Sequence, residues 1–266
     1  MINRAPLAAY MTAVCVIAAG LWTCATAHAQ ADAAEVFKTA NTHYASGKYA
    51  EAARQYRRLI RDGHGSVWVY FNLGNTYTKL EEYGLALLQY RRALLVAPRS
   101  EDIRHNLRYV EGRLSYQPAN EIPTWWHWVV DRVVSNTTLN ELLIVTVVLY
   151  WLTAAAAIWR LRTRRRLATV LLVAGIIVVF VGTGLCVVQW NRGWGSNSAI
   201  VIEQAAMLSG PGAAFDTLAT LPDGAEVRIL SAEGQYREVR TEAGGRGWVS
   251  KQSVRHISPY RQDSEE

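Results

Sequence analysis

Hydrophobic and polar positions along this chain fall into three regimes. Unbroken apolar runs occupy residues 7–27, 142–159 and 167–190. Residues 33–114, between the first two runs, have few glycines or prolines, and their apolar positions recur at the helical period, which predicts helices. After Trp194 the pattern changes to short β-prone runs, at Ala199–Glu203, Glu226–Leu230, Tyr236–Arg240 and Gly247–Ser250. Gly210-Pro211-Gly212, Pro222-Asp223-Gly224 and Gly244-Gly245 punctuate them, as expected of a small all-β unit.

The apolar runs set the topology. Residues 1–29 have the layout of a secretory signal, with Arg4, an apolar stretch from Leu7 to Trp22, and Ala27-His28-Ala29 as the small-x-small cleavage pattern. A lipoprotein signal ending at Cys24 and an uncleaved anchor are the alternatives. A first span is predicted over 139–159, with its apolar core at Leu142–Trp159, and a second over 167–190. At about 1.5 Å per residue the shorter core reaches roughly 27 Å, close to the thickness of a hydrocarbon layer. The intervening turn, 160–166, carries Arg160, Arg162, Arg164, Arg165 and Arg166. Moving each arginine across a bilayer is unfavourable by about 2.5–3.5 kcal/mol, so the turn is expected in the cytoplasm and both flanks outside it.

Charge and cysteine content narrow the function classes. The net charge is +6, and Arg4 with the five arginines of the turn accounts for that excess. The basic balance is therefore a topology signal, and no nucleic-acid partner is expected. Cys15, Cys24 and Cys186 all fall in apolar runs, which leaves no pair for a structural disulfide and no CxxC motif.

The helical region contains an internal repeat. Tyr49, Ala52, Tyr56 and Leu59 recur as Tyr83, Ala86, Tyr90 and Ala93 at an offset of 34, and Tyr44 anticipates Tyr77 at 33. Leu73-Gly74-Asn75-Thr76-Tyr77, Ala86, Tyr90, Ala93 and Pro98 resemble the tetratricopeptide repeat (TPR) pattern. In the first copy Asn41 is expected in place of the glycine, with a turn, Ser46-Gly47-Lys48, one residue shorter. A third helix follows Arg99 and ends before Gln117-Pro118, closing a TPR region over 33–117. On this resemblance a partner-binding groove is lined by Lys38 and Thr42, then Phe71, Asn72, Asn75 and Lys79, then Asp102, His105 and Tyr109. A solvated helix face is the alternative for the same residues.

Residues 118–138 combine a linker with Trp125, Trp126 and Trp128, which suit the bilayer interface or a docking patch. Residues 197–258 resemble a bacterial SH3-like domain, through Leu208-Ser209-Gly210-Pro211, Leu221-Pro222-Asp223-Gly224 and Gly245-Arg246-Gly247-Trp248-Val249. Tyr236 stands where that family often has a tryptophan strand. Tyr236 and Trp248 are the contact candidates, and core packing is the other reading of Trp248. A charged tail over 259–266 is expected to be disordered.

No Ser-His-Asp or Cys-His constellation, HExxH motif or P-loop occurs, and the six histidines do not recur at metal-ligand spacing. No catalytic residue, metal or cofactor is expected. The fold class predicted is a multidomain membrane protein with α-helical TPR hairpins, a two-helix transmembrane hairpin and a small all-β SH3-like barrel. The order of these parts resembles the BatE-type aerotolerance proteins. That resemblance implies a non-enzymatic inner-membrane scaffold with both soluble regions in the periplasm. Its implied partners are membrane or periplasmic proteins, among them von Willebrand factor A-domain proteins and a MoxR-type ATPase system, beside the lipid bilayer. A peptidoglycan-binding envelope anchor, acting through the SH3-like domain, is the alternative function.

Overall fold

The computed structural model describes residues 30–114, 136–163, 166–192 and 197–258. The predicted signal segment 1–29, Trp125, Trp126, Trp128, Arg164, Arg165 and the tail 259–266 lie outside the described residues. The chain divides into two compact units at Gly65 and Ser66.

The first unit is a helical hairpin of α1 (residues 30–45) and α2 (Tyr49–Arg61). Its apolar face buries Val36, Ala40, Ala52, Ala53, Tyr56, Leu59 and Ile60. Tyr56 fills the space between the helices, its ring edge-on to Phe37 at 6.0 Å, and its hydroxyl donates to Asn41 Oδ1 at 2.5 Å. Gly47, at φ +73°, makes the turn.

The second unit opens with α3 (Val67–Lys79), α4 (Tyr83–Val96) and α5 (Glu101–Glu111). Ser66 and Ser100 start α3 and α5, their hydroxyls accepting from Val69 N and Ile103 N. Gly74 lets α4 approach, because a Cβ there would lie 2.7 Å from the Tyr90 ring. Tyr90 donates its hydroxyl to Asn75 Oδ1 at 2.7 Å.

The local geometry of the two hairpins corrects the expected alignment. Both inter-helix turns have three residues, 46–48 and 80–82. Lys48 N donates to His43 O at 2.9 Å, and Glu82 N to Tyr77 O at 3.0 Å. The offset is therefore 34 throughout: Asn41 corresponds to Asn75, and buried Ala40 stands where Gly74 does. Glu81, at φ +62°, takes the left-handed place of Gly47.

Two long apolar helices follow, α6 (Leu139–Thr163) and α7 (Arg166–Arg192), packed as a hairpin. The most apolar 18-residue stretch of each has a mean hydropathy of 2.2 and 2.8, and both helices are long and apolar enough to cross a membrane. Nearly all their large side chains face outward, unlike the core helices of a soluble domain. Small residues seven apart form the seam, where a Cβ on Gly175 would lie 2.5 Å from Thr153 Oγ1 and one on Gly182 2.8 Å from Thr146 Oγ1. The helices run further than predicted, so Arg160 and Arg162 sit in the last turn of α6 and Arg166 starts α7. Arginine is a good helix former, and a cation is favourable at a helix C-terminus.

Residues 198–256 form a seven-stranded antiparallel sheet in the order β3-β2-β6-β5-β4-β1-β7. The strands are β1 (Ser198–Val201), β2 (Ala205–Leu208), β3 (Thr217–Leu221), β4 (Glu226–Glu233), β5 (Tyr236–Thr241), β6 (Arg246–Ser250) and β7 (Val254–His256). Alternation along them gathers Ala199, Val201, Met207, Val227, Val239, Val249 and Val254 into one core. The strands β2, β3 and β7 were not foreseen from the sequence.

Candidate functional site

The helical hairpin of the second unit is joined on both sides. Arg92, on α4, is buried at 8% exposure. Its Nη2 donates to His256 O at 2.8 Å and its Nε to Ile257 O at 3.2 Å, which ties the end of β7 to the helix. Gly84 lies against the backbone after β1, where a Cβ would come within 2.6 Å of Ile202 O. On the other side, Arg99 forks onto Glu141, at 3.1 and 3.2 Å, and donates to Asn136 O at 2.7 Å. Glu141 Oε2 also accepts from Thr138 N at 2.9 Å, at the entry to α6. Gln189, near the end of α7, donates to Thr137 O at 3.0 Å. The helices, the apolar hairpin and the sheet thus share backbone-anchored junctions.

The predicted groove residues take different places. In the first unit Lys38 and Thr42 are exposed on α1, and the Thr42 hydroxyl donates to Lys38 O at 3.0 Å. In the second unit Phe71 is half-buried beside the Tyr90 ring, at 6.2 Å. Asn75 Oδ1 accepts both from Tyr90 and from Asn106 Nδ2, the latter at 2.8 Å. That oxygen therefore links α3, α4 and α5, a packing role in place of the ligand-gripping one expected. Asn72 is half-buried, while Lys79, Asp102 and His105 are exposed. Tyr109 is 49% exposed and carries the Arg113 guanidinium 5.1 Å from its ring centre. In the second unit Lys79, Asp102, His105 and Tyr109 remain as side chains open to solvent.

In the sheet, Gly247 and Val249 face the core, so Trp248 points the other way and is only half-buried. Its reading as a core residue is corrected by that alternation. Tyr236 is half-buried as well.

Titration behaviour marks few groups. Burial raises the Tyr44 hydroxyl, helped by neighbouring Tyr49. A backbone N–H at the start of α2 lowers exposed Glu51, with Arg54 assisting. Among the described residues no three His, Cys, Asp or Glu side chains gather as metal ligands.

The junction residues Arg92 and Arg99 were missed in the sequence because their targets are backbone carbonyls and a distant carboxylate, which leave no local motif. No family model matches the sequence, and no curated protein matches it at a significant level.

Proposed function

We propose that this chain is a non-enzymatic, membrane-anchored scaffold whose TPR-type helices and SH3-like domain hold protein partners on the periplasmic face of the inner membrane. The observation that carries the reading is the repeated hairpin. At an offset of 34 it has the same three-residue turn, a left-handed residue at the same place and the same Asn–Tyr hydrogen bond. That length and that helix pairing support tetratricopeptide architecture. The apolar hairpin supports two membrane passes, and the arginines at its tip support a cytoplasmic turn. The resulting arrangement fits a BatE-type component acting beside A-domain membrane proteins and a MoxR-type ATPase system.

In-membrane photo-crosslinking from Lys79, His105 and Tyr109 of the full chain tests the reading. Defined protein partners should be trapped, and Lys79→Glu with Tyr109→Ala should release them without unfolding the chain. Partners that stay bound to that variant would remove the groove. Retention on purified cell wall that depends on Tyr236 or Trp248 would shift the function to an envelope anchor.

A further inference from the structure

The outward face of the sheet carries a feature that packing does not explain. Val227, Ile229, Val239, Gly247 and Val249 face the core, so strand alternation places Arg228, Arg240 and Arg246 outside. The register sets Arg228 opposite Arg240, and Arg240 opposite Arg246. Directly opposed side chains have Cβ atoms about 5 Å apart, and like charges at that spacing destabilise a sheet. All three arginines are exposed, and none of their guanidinium groups makes a hydrogen bond or ion pair with another described residue. A sheet selected only to fold would interrupt such a row with a carboxylate or a threonine.

The nearest carboxylates flank the row and do not interrupt it; alternation puts Glu238 on the same face two positions before Arg240, where it accepts from the Ser231 hydroxyl at 2.9 Å. Glu226 and Glu242 lie beside it, and together with Ser198, Arg228, Arg240 and Thr241 they border a shallow cavity of about 200 Å³. Burial raises the Glu226 carboxyl, Arg91 opposes that shift and Glu242 adds to it.

The position of the row names its counter-charge. Ser198, the first residue of β1, pairs with Arg228 and so heads the row. The helix α7 ends at Arg192, and six residues of chain reach at most about 20 Å. A second route agrees, because Glu226 lies within the field of Arg91 on α4, and the loop after α4 places Arg99 on Glu141 at the start of α6. The nearest dense array of anions to that place is the lipid headgroup layer.

We propose that Arg228, Arg240 and Arg246 form a docking surface for the phosphate groups of anionic lipids in the leaflet from which α6 and α7 emerge. Planar guanidinium forks match phosphate oxygens, and a row of them spans adjacent headgroups. Lipid binding relieves the repulsion that the register builds in and lays the sheet against the bilayer. This inference rests on the reading of α6 and α7 as membrane spans.

The test uses the full chain in nanodiscs of phosphatidylcholine alone or mixed with phosphatidylglycerol, each with a trace lipid bearing a photoreactive headgroup. Capture on peptides from 226–250 should rise several-fold with phosphatidylglycerol and fall in high salt. Each Arg→Gln change in the row should lower it about fivefold. Arg240→Gln alone suffices if the triple variant Arg228→Gln/Arg240→Gln/Arg246→Gln does not fold, and Arg54→Gln on α2 should change nothing. Equal capture in both lipids, or capture that survives loss of the row, overturns the proposal. Capture of an acidic protein at the row with no lipid dependence overturns it too. A chain that enters neither disc would overturn the membrane spans and this inference together.

Discussion

The hydroxyl of Tyr90 donates to Asn75 Oδ1 at 2.7 Å from a side chain only 1% exposed. The same oxygen accepts from Asn106 at 2.8 Å, so one carboxamide joins three helices. Asn75→Ala would take the acceptor from the Asn106 amide and leave the buried Tyr90 phenol to the more distant Thr78 hydroxyl at 3.2 Å, a loss of about 1–3 kcal/mol. Tyr90→Phe removes only the donor and should cost about 1 kcal/mol. Denaturant melts of the two single variants and the double variant should show strong coupling. Simple additivity would mean that the bond contributes little.

Turn geometry gives opposite signs at equivalent places. Glu81 holds φ +62°, a conformation that costs a side chain roughly 1–2 kcal/mol, so Glu81→Gly should stabilise the second hairpin. Gly47 has open space around it but φ +73°, and Gly47→Ala should destabilise the first. Gly74→Ala fails for another reason, since its Cβ would meet the Tyr90 ring at 2.7 Å, costing about 1–3 kcal/mol. Thermal melts that rank these three variants otherwise would contradict the turn assignment.

Arg92→Met keeps an unbranched apolar stem but, two atoms shorter and uncharged, removes both bonds to the carbonyls of residues 256 and 257. Charged hydrogen bonds of this kind contribute about 1.5–3 kcal/mol each. Hydrogen exchange should quicken in 254–258 while β4 and β5 stay protected. Uniform quickening over the whole sheet would show that Arg92 supports the fold globally and not a junction.

The Glu226 carboxyl is raised above its ordinary value by burial. Its charged form is disfavoured in the folded chain, so stability is gained as pH falls through the folded pKa and the penalty is complete above it. Glu226→Gln should therefore raise Tm at neutral pH, with the gain shrinking as pH approaches the usual carboxylate range. An equal gain at all pH values would point to packing instead of charge.

Legibility differed by element for physical reasons. A helix that crosses lipid needs an unbroken apolar run, so 142–159 and 167–190 stood out at once. The repeat was visible too, but Tyr44 and Tyr77 suggested an offset of 33, and the matching turn bonds with the Asn41–Tyr56 bond fix it at 34. Two of the three unforeseen strands escaped notice because Ala205 and Ala206 are weak strand formers and Thr217–Leu221 runs straight into a proline. The arginine row was beyond reach, since Arg228, Arg240 and Arg246 become neighbours only through strand register. Asn75 was legible as polar on a helix, but its two internal donors come from residues 15 and 31 positions away.

The contact between Arg92 and His256 also sets an order of events during synthesis. The two residues are 164 positions apart. Ribosomes add about 5–20 residues per second, so the guanidinium waits roughly 10–30 s for its carbonyls. Both apolar helices are made within that interval. The first-made helices therefore stay unlatched while both apolar helices are made, and the last of the described strands closes the structure behind them.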